Sequence, residues 1–213
     1  MRQFKDRHSR LRGNDGSITS CTAVILAGGE SRRMGRDKAH VEFRGKSLLN
    51  HAIANLSPLF DEIVLSVRDP LAVDESQSNI VQVMDAGEGR GPMMGIVAAM
   101  TEVGTDWVFV TGVDMPLVMP ELVVHMAEQR HGYDAVLAEI DGQLQPLPAF
   151  YAKKACLPAM QSRIAQGRRS LMRLIPSLNT AILHEHDLRP LDPDLRSFTD
   201  FDTPEDVVLF EEK

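Results

Sequence analysis

The sequence predicts an α/β protein in which helices cover both faces of a mostly parallel β-sheet, so that the domain has three layers. The first observation is that short apolar runs alternate with helical segments of roughly 10 to 15 residues, the spacing of right-handed β-α-β crossovers. The second is a glycine-rich loop directly after the first apolar run. In such sheets ligands bind beyond the carboxyl ends of the strands, so this loop is the first candidate for a binding site.

The predicted strands are short and apolar, and the first of them is rich in β-branched residues. They cover 22–25, 62–67, 80–84, 107–111, 135–139, 147–151 and 180–184. The run at 107–111 is the most apolar and is predicted to be the most buried. A further short extended piece and a turn are expected at 41–46. We therefore expect the end of the strand at 107–111 to lie at the same edge of the sheet as the glycine-rich loop.

The predicted helices begin at residues that favour helix starts. Ser47 is the expected N-cap of a helix that runs to 57, where Pro58 closes it, and Pro92 and Pro120 open two more. The predicted helices cover 47–57, a segment from about 92 to 100, 120–129 and 153–165, with others that begin at 170 and 203. Residues 85–92 contain three glycines and a proline and are predicted to form a loop.

Composition limits the classes of function. The chain has 213 residues, 23 basic and 30 acidic side chains and a net charge of −7, which argues against a general nucleic-acid or membrane surface. No apolar run approaches the roughly 20 residues that span a bilayer. The two cysteines, Cys21 and Cys156, form no C-x-x-C motif and indicate neither a disulfide framework nor a zinc site. We expect a cytoplasmic protein.

Residues 1–20 are expected to form a disordered tail, and residues 21–213 a single domain. The tail carries five basic and two acidic side chains and no apolar segment of the kind that a secretory signal needs. A basic arm that docks a partner is the alternative interpretation of this segment.

The glycine-rich loop has the features of a polyphosphate site. Gly28 and Gly29 allow backbone N–H groups to approach an anion, and Arg32, Arg33 and Lys38 add positive charge. The spacing fits neither of the two common phosphate-loop motifs. A glycine-rich surface turn with solvated arginines is the alternative.

Asp114 follows the predicted strand at 107–111 and lies at the same edge as the loop. A carboxylate beside a triphosphate loop suits Mg²⁺, which prefers one or two carboxylates together with phosphate oxygens and water. Alternatively, Asp114 only caps the turn before Pro116. Three other polar residues are open to both kinds of interpretation. Asp85 is a turn residue or a ligand contact, and Arg168 and Arg169 are solvated or hold a phosphate with help from the helix expected at 170.

Residues 26–38, L-A-G-G-E-S-R-R-M-G-R-D-K, resemble the signature of the nucleotidyltransferase family that includes molybdenum cofactor guanylyltransferase. The resemblance extends over nearly the whole chain from Cys21 onward. It implies a Rossmann-like nucleotidyltransferase fold and the transfer of GMP from GTP to molybdopterin that carries molybdenum, with Mg²⁺ as the metal. The products are the guanine dinucleotide form of the cofactor and pyrophosphate. We further expect a monomer with molybdoenzyme-specific chaperones as partners, although neither the oligomeric state nor the delivery partners follow from the sequence.

The resemblance assigns roles to particular residues. The implied catalytic residues are Lys38, Arg33 and Asp114, and the implied metal ligands are Asp114 and Asp202. The implied nucleotide contacts are Leu26, Ala27, Gly28, Gly29, Lys38, Ser66, Asp85 and Asp114. The implied acceptor contacts are Gln145, Pro146, Arg168 and Arg169.

The sequence departs from the family pattern at three positions. Asp200 and Asp202 stand in the segment F-T-D-F-D-T-P-E, where the pattern often has asparagine, and Ser66 stands where it has an asparagine that contacts nucleotide. These departures leave two alternatives. One is a cytidylyltransferase that acts on molybdopterin or on a sugar or polyol phosphate, although the tandem glycines at 28–29 favour the guanylyl type. The other is a nucleotide-binding regulatory module without turnover, against which Lys38 and Asp114 argue.

Overall fold

A computed structural model describes residues 18, 20–28, 37–72, 79–85 and 91–211 of the chain. Its strands are β1 (Cys21–Leu26), β2 (Glu42–Phe43), β3 (Lys46–Ser47), β4 (Ile63–Val67), β5 (Ile80–Met84), β6 (Trp107–Gly112), β7 (Ala135–Ile140), β8 (Gln143–Ala152) and β9 (Thr180–His184). Its α-helices are α1 (Leu48–Leu56), α2 (Pro92–Glu102), α3 (Pro120–Glu128), α4 (Lys153–Ala165), α5 (Glu185–Leu188) and α6 (Pro204–Glu211). Single 3₁₀ turns lie at Lys38–His40, Ile175–Ser177 and Arg196–Phe198.

Seven strands form one sheet in the order β5-β4-β1-β6-β8-β7-β9, and β2 and β3 form a separate hairpin. Every pairing in the large sheet is parallel except those of β8, which runs antiparallel to both β6 and β7. The predicted mostly parallel α/β sheet is therefore confirmed. In the described part of the chain β1 lies between β4 and β6, so the end of β1 is near the middle of the carboxyl edge.

Helices cover both faces of the sheet. Helices α1, α3 and α5 pack on one face against Ala23 and Ile25 of β1, whereas α2 and α4 pack on the other face against Val24. Side chains of a strand point alternately to opposite faces, which explains why a continuous apolar run forms β1. The predicted three layers are confirmed.

Strand β8 is longer than predicted and reaches β7 through a two-residue turn. Asp141 and Gly142 both have positive φ angles, 49° and 70°, as Asp-Gly has in the tight turns that join antiparallel strands. The prolines of β8, Pro146 and Pro148, lie where the register shifts between Val136 and Ala138 of β7. Because the ladder is irregular there, the missing proline N–H groups are tolerated.

The helix predicted to begin at Ser170 does not form, and this prediction was wrong. Residues 171–174 make a single turn, in which the amides of Leu174 and Ile175 donate to the carbonyl of Leu171, and a 3₁₀ turn follows. Pro176 has no N–H to continue a helical ladder and disfavours helical backbone in the residue before it. Leu171, Leu174 and Ile175 are nevertheless buried, which explains why their spacing resembled a helix.

Of the two described residues in the expected tail at 1–20, Ile18 belongs to the core. Ile18 is 2% exposed, and its amide donates a hydrogen bond of 2.6 Å to the carbonyl of Leu59. The packed part of the chain therefore includes Ile18, ahead of the boundary expected at residue 21. The rest of that segment, apart from Ser20, lies outside the described residues.

Helix α6 packs on the β2–β3 hairpin. Val41, Phe43 and Leu48 form a small apolar cluster with Phe201 and Val207, and the rings of Phe43 and Phe201 meet edge to face at 5.1 Å. This cluster fixes the segment that precedes α6, and with it the position of Asp202.

Candidate active site

Backbone hydrogen bonds join the carboxyl ends of the central strands. The amide of Ala27 donates to the carbonyl of Ser66 at 2.9 Å, and the amide of Val113 donates to that of Leu26 at 3.0 Å. The amide of Asp85 reaches the carbonyl of Val67 at 2.7 Å. The ends of β1, β4, β5 and β6 are thereby held together. Leu26, Ala27 and Gly28 lie at this edge, as the sequence predicts, whereas Gly29, Arg32 and Arg33 lie outside the described residues.

Lys38 bridges two carboxylates at this edge. Its Nζ lies 2.7 Å from Oδ2 of Asp114 and 2.6 Å from Oδ1 of Asp202. The Lys38 side chain is only 15% exposed, compared with 27% for Asp114 and 46% for Asp202. Among the described residues, the sequence assigned Lys38, Asp114 and Asp202 to catalysis or metal binding, and the structure brings these three together.

The backbone of Lys38 is fixed by a short 3₁₀ turn. Oδ1 of Asp37 accepts a hydrogen bond of 3.0 Å from the amide of Ala39, which is the N-cap contact of this turn. The amide of Val41 donates to the carbonyl of Lys38 at 3.1 Å. These hydrogen bonds hold the backbone of Lys38 in place directly after the glycine-rich stretch.

Asp114 follows a turn at Gly112, where glycine leaves room for its carboxylate. The amide of Met115 donates to the carbonyl of Gly112 at 3.1 Å, which folds the chain back after β6. A Cβ atom at position 112 would collide with Oδ1 of Asp114. Glycine therefore leaves the space into which the carboxylate turns.

Asp202 is positioned from two sides. The amide of Phe201 donates a hydrogen bond of 2.8 Å to the carbonyl of Asp114, and Oδ2 of Asp206 accepts one of 2.9 Å from the amide of Asp202. Thr203 and Asp206 form a reciprocal cap: the amide of Thr203 donates to the Asp206 carboxylate at 2.8 Å, and the amide of Asp206 to Oγ1 of Thr203 at 3.3 Å. Thr203 thus begins helix α6, as the sequence predicts.

The charges of this cluster shift two pKa values. Burial lowers the pKa of Lys38, but the hydrogen bonds and charges of Asp114 and Asp202 outweigh it, so that the pKa is raised overall. Burial, together with the negative charges of Asp114 and Asp202, raises the pKa of Asp200 to about 6. Asp200 is a member of the cluster that sequence reasoning missed, although its departure from the family's asparagine was a visible signal.

Two nucleotide contacts implied by the family lie on neighbouring strands. Ser66 is 2% exposed and faces Gly95 of α2, where an added Cβ would lie 2.6 Å from its Oγ. Asp85 follows β5 at the same edge. Arg68, which sequence reasoning also missed, packs its Cγ 3.2 Å from the place where a Cβ of Gly28 would lie. Only its position just after β4 marked it in the sequence.

The acceptor contacts implied by the family come from two segments. Strand β8 runs antiparallel to β6 with Ala149 opposite Val110, so Gln145 and Pro146 extend past the carboxyl end of β6, toward the edge that carries Asp114. Arg168 and Arg169 are exposed and follow the end of α4. Because the helix expected at 170 is absent, the N-terminus of that helix does not support them. The Arg169 carbonyl lies 3.7 Å from where a Cβ of Gly91 would be, which places this segment beside the start of α2.

The donor set fits a hard divalent cation. Asp114 and Asp202 offer carboxylate oxygens to one cationic group, the Lys38 ammonium. Within the described ranges, no group of three or more His, Cys, Asp and Glu side chains forms a complete metal site. A cation here would take further ligands from phosphate oxygens and water, as Mg²⁺ commonly does. No helix in the described part of the chain is long and apolar enough to cross a membrane.

The mostly parallel sheet, with a lysine and two aspartates at its carboxyl edge, agrees with the class that the family match shows: this protein is an α/β nucleotidyltransferase. The sequence profile of the MobA-like NTP transferase domain matches residues 23–182, and the chain belongs to this family. Members of this family generally use a divalent metal.

Comparison with known proteins agrees with this assignment. The chain is 34% identical over 203 residues to a protein of Methanosarcina acetivorans named "Probable molybdenum cofactor guanylyltransferase", with 90% of each chain covered. It is 30% identical to molybdopterin-guanine dinucleotide biosynthesis protein A from Archaeoglobus fulgidus, with a TM-score of 0.74 and coverage of 90% of this chain and 97% of that one. The 2-C-methyl-D-erythritol 4-phosphate cytidylyltransferase of Thermus thermophilus, at 15% identity and a TM-score of 0.67, shares the fold; the alignment covers 89% of this chain and 96% of that one.

Proposed function

We propose that this protein transfers GMP from GTP to molybdopterin carrying molybdenum, and so forms the guanine dinucleotide form of the cofactor and pyrophosphate. The observation that carries the proposal is the Lys38 bridge between Asp114 and Asp202, at the edge where such sheets bind ligands. The names of the relatives supply the substrates: the similar proteins are a molybdenum cofactor guanylyltransferase and a molybdopterin-guanine dinucleotide biosynthesis protein.

The reaction needs charge compensation rather than a covalent enzyme intermediate. An oxygen of the acceptor's phosphate monoester attacks the α-phosphorus of GTP in line. As that bond forms, the bond from the α-phosphorus to the bridging oxygen breaks and its electron pair leaves with pyrophosphate. Lys38 and Arg33 offset the charge that grows on the leaving group. A phosphate monoester is largely ionised near neutral pH, so no general base is required.

The residues that would hold Mg²⁺ are Asp114 and Asp202. Bound there, the metal would supply charge neutralisation and orientation of the phosphates. The two carboxylates are set for this by the Phe201–Asp114 and Asp202–Asp206 hydrogen bonds, which fix both aspartates from the backbone. Leu26, Ala27, Gly28, Gly29, Ser66 and Asp85 would then contact the nucleotide.

The acceptor would lie beyond β8 and the end of α4. Gln145 and Pro146 extend toward the edge that carries Asp114, and the backbone of Arg169, which follows Arg168, lies beside the start of α2. Two exposed guanidinium groups suit a phosphate, which arginine binds through paired hydrogen bonds.

The experiment that tests this function is pyrophosphate release by the purified full-length chain. We expect release with GTP and Mg²⁺ only when molybdopterin is present, and little release with CTP. Thermal protection gives an independent measurement, since a bound ligand raises the melting temperature by mass action, and GTP should protect more than CTP. Equal use of CTP would favour the cytidylyltransferase alternative, whose fold the chain shares. Binding without any release would favour a regulatory module.

The proposal extends to the compartment, the oligomeric state and the partners of the protein. We infer a cytoplasmic monomer that acts on small molecules and passes its product to molybdoenzyme-specific chaperones. Cys21 and Cys156 are both free and buried, which suits a reducing compartment. Light scattering of the purified chain measures the oligomeric state, and a stable dimer would contradict the proposed monomer.

A further inference from the structure

The Lys38 ammonium bridges the two carboxylates that would hold a divalent cation. It is within 2.7 Å of one oxygen of Asp114 and within 2.6 Å of one oxygen of Asp202. A Mg²⁺ ion binds carboxylate oxygens at about 2.0–2.1 Å. An ion that used these same two oxygens would share their lone pairs with the ammonium and would lie close enough to repel it strongly. At these two oxygens the ammonium and a metal ion would therefore compete.

We propose that Lys38 and the divalent metal compete for the carboxylate pair Asp114–Asp202. In the ligand-free protein the ammonium holds the pair. When a nucleotide binds together with its metal, the Lys38 ammonium would contact the phosphates, and Asp114 and Asp202 would bind the metal. The inference rests on the proposed function for the identity of that nucleotide, but the competition itself concerns only this chain and a metal ion.

The exchange requires movement of a side chain and not of the backbone. Asp37 caps the 3₁₀ turn of Lys38, the amide of Val41 holds its carbonyl, and Ala39 is 1% exposed. The lysine side chain, by contrast, is a flexible four-carbon stem with a compact charge at its end. Its ammonium can turn from the carboxylates to a phosphate while the turn stays in place.

The competition makes nucleotide and metal load together. A metal ion that binds alone must displace the ammonium from the carboxylates. When a triphosphate binds as well, its phosphates bind the ammonium, and the carboxylates are then free for the metal. Each ligand thus favours the other, and the coupling is reciprocal by thermodynamic linkage. The ammonium also keeps two neighbouring carboxylates compensated while the site is empty of ligands, which reduces their mutual repulsion.

The test is a titration of the full-length chain with Mn²⁺ in the absence of any nucleotide. Mn²⁺ prefers the same oxygen ligands as Mg²⁺ and can be followed by electron paramagnetic resonance or calorimetry. Lys38→Met keeps the length of the stem and removes the charge. We expect this variant to bind Mn²⁺ at least about tenfold more tightly than the wild type, a change of ~1.4 kcal/mol. Lys46→Met, on the β2–β3 hairpin, is the control for net charge and should match the wild type.

The double variant Lys38→Met/Asp202→Asn locates the effect, because it should lose the gain in affinity. If Lys38→Met is unstable, Lys38→Gln and melting curves with and without Mn²⁺ replace the titration: Mn²⁺ should raise the melting temperature of either variant more than that of Lys46→Met. Equal Mn²⁺ affinity in Lys38→Met and the wild type, or no added protection, would overturn the competition. Since no nucleotide is present, that failure would leave the proposed guanylyl transfer untouched.

Discussion

The backbone amide of Asp202 donates a hydrogen bond of 2.9 Å to the carboxylate of Asp206, in the first turn of helix α6. The same oxygen of Asp206 accepts hydrogen bonds from the amide and the hydroxyl of Thr203, at 2.8 and 2.9 Å. One side chain therefore caps the helix and orients a candidate metal ligand. This makes Asp206 a positioning residue for the site, although it does not touch the Lys38 bridge.

We expect Asp206→Ala to lower stability by ~1 kcal/mol, because the reciprocal cap is lost. Turnover should fall roughly tenfold, the lower range for removing the partner of a metal-binding carboxylate. The half-saturating concentration of Mg²⁺ should rise as well, which loss of a helix cap alone would not cause. Glu205→Ala removes an acid from the same turn and should change none of the metal dependence. Unchanged Mg²⁺ dependence in Asp206→Ala would limit the residue to capping.

Gly95 allows helix α2 to approach the sheet at the candidate site. An added Cβ would lie 2.6 Å from Oγ of the buried Ser66 and 2.9 Å from Cδ2 of Leu26. We expect Gly95→Ala to destabilise the protein by about 1–3 kcal/mol through overpacking, and to weaken GTP binding because both neighbours lie at the nucleotide edge. Gly104→Ala is the matched control, since a Cβ there meets no atom within 4 Å. Denaturant melts of both variants measure the difference, and equal stability would contradict the close packing.

Asp200 should make stability depend on pH. The pKa of its carboxyl is raised from 3.8 to about 6, so the folded protein favours the protonated form. This contribution is present below pH 4 and is lost as the pH rises through about 6. Asp200→Asn should therefore raise the melting temperature at pH 7.5 in EDTA, and the gain should vanish near pH 4. Asp69→Asn, an exposed aspartate after β4, controls for net charge. A gain of equal size at both pH values would exclude titration of Asp200 as its cause.

Arg169 tests the placement of the acceptor. Its backbone lies beside Gly91 at the start of α2, and its side chain is exposed. We expect Arg169→Ala to raise the Michaelis constant for molybdopterin roughly tenfold, the scale of one hydrogen bond to a charged group, while that for GTP stays unchanged. Arg173→Ala, in the following turn, should change neither constant. An effect confined to GTP would place the nucleotide, and not the acceptor, at this segment.

The sequence predicted the elements of this fold well because their signals are local. Strands 80–84 and 180–184 and the helix at 153–165 coincide with β5, β9 and α4, and Ser47 caps α1 as expected. The helix expected to begin at Ser170 was wrong although a local signal opposed it. The spacing of Leu171, Leu174 and Ile175 reflects their burial against the sheet and not a helix, and Pro176 was the signal that should have excluded one.

The sequence predicted which charged residues lie at the site but not the contacts between them. Lys38, Asp114 and Asp202 were all named from motifs, yet no motif states that one ammonium bridges both carboxylates. That contact depends on Phe201, which packs on Phe43 and donates to the carbonyl of Asp114, so it arises from tertiary packing of the C-terminal segment. Asp200 and Arg68 were missed although each lies two residues from an assigned position, Asp202 and Ser66 respectively, because a motif does not state which of its flanking side chains the fold brings to the site.

The central assignment is that the Asp114 carboxylate holds the metal, and Asp114→Asn tests it because it keeps shape and removes one negative charge. Turnover should fall by roughly a hundred- to a thousandfold, the usual loss when one electrostatic contribution to a transition state is removed. The melting temperature should change little: Lys38 keeps its contact with Asp202, and repulsion with Asp200 decreases.

Asp106→Asn, just before the other end of β6, is the matched control and should retain turnover. If Asp114 only shapes the turn before Pro116, the variant will instead lose stability and keep its activity per folded molecule. Thermal melts and Mg²⁺-dependent pyrophosphate release on one preparation distinguish the two outcomes, and near-normal turnover would falsify the metal assignment.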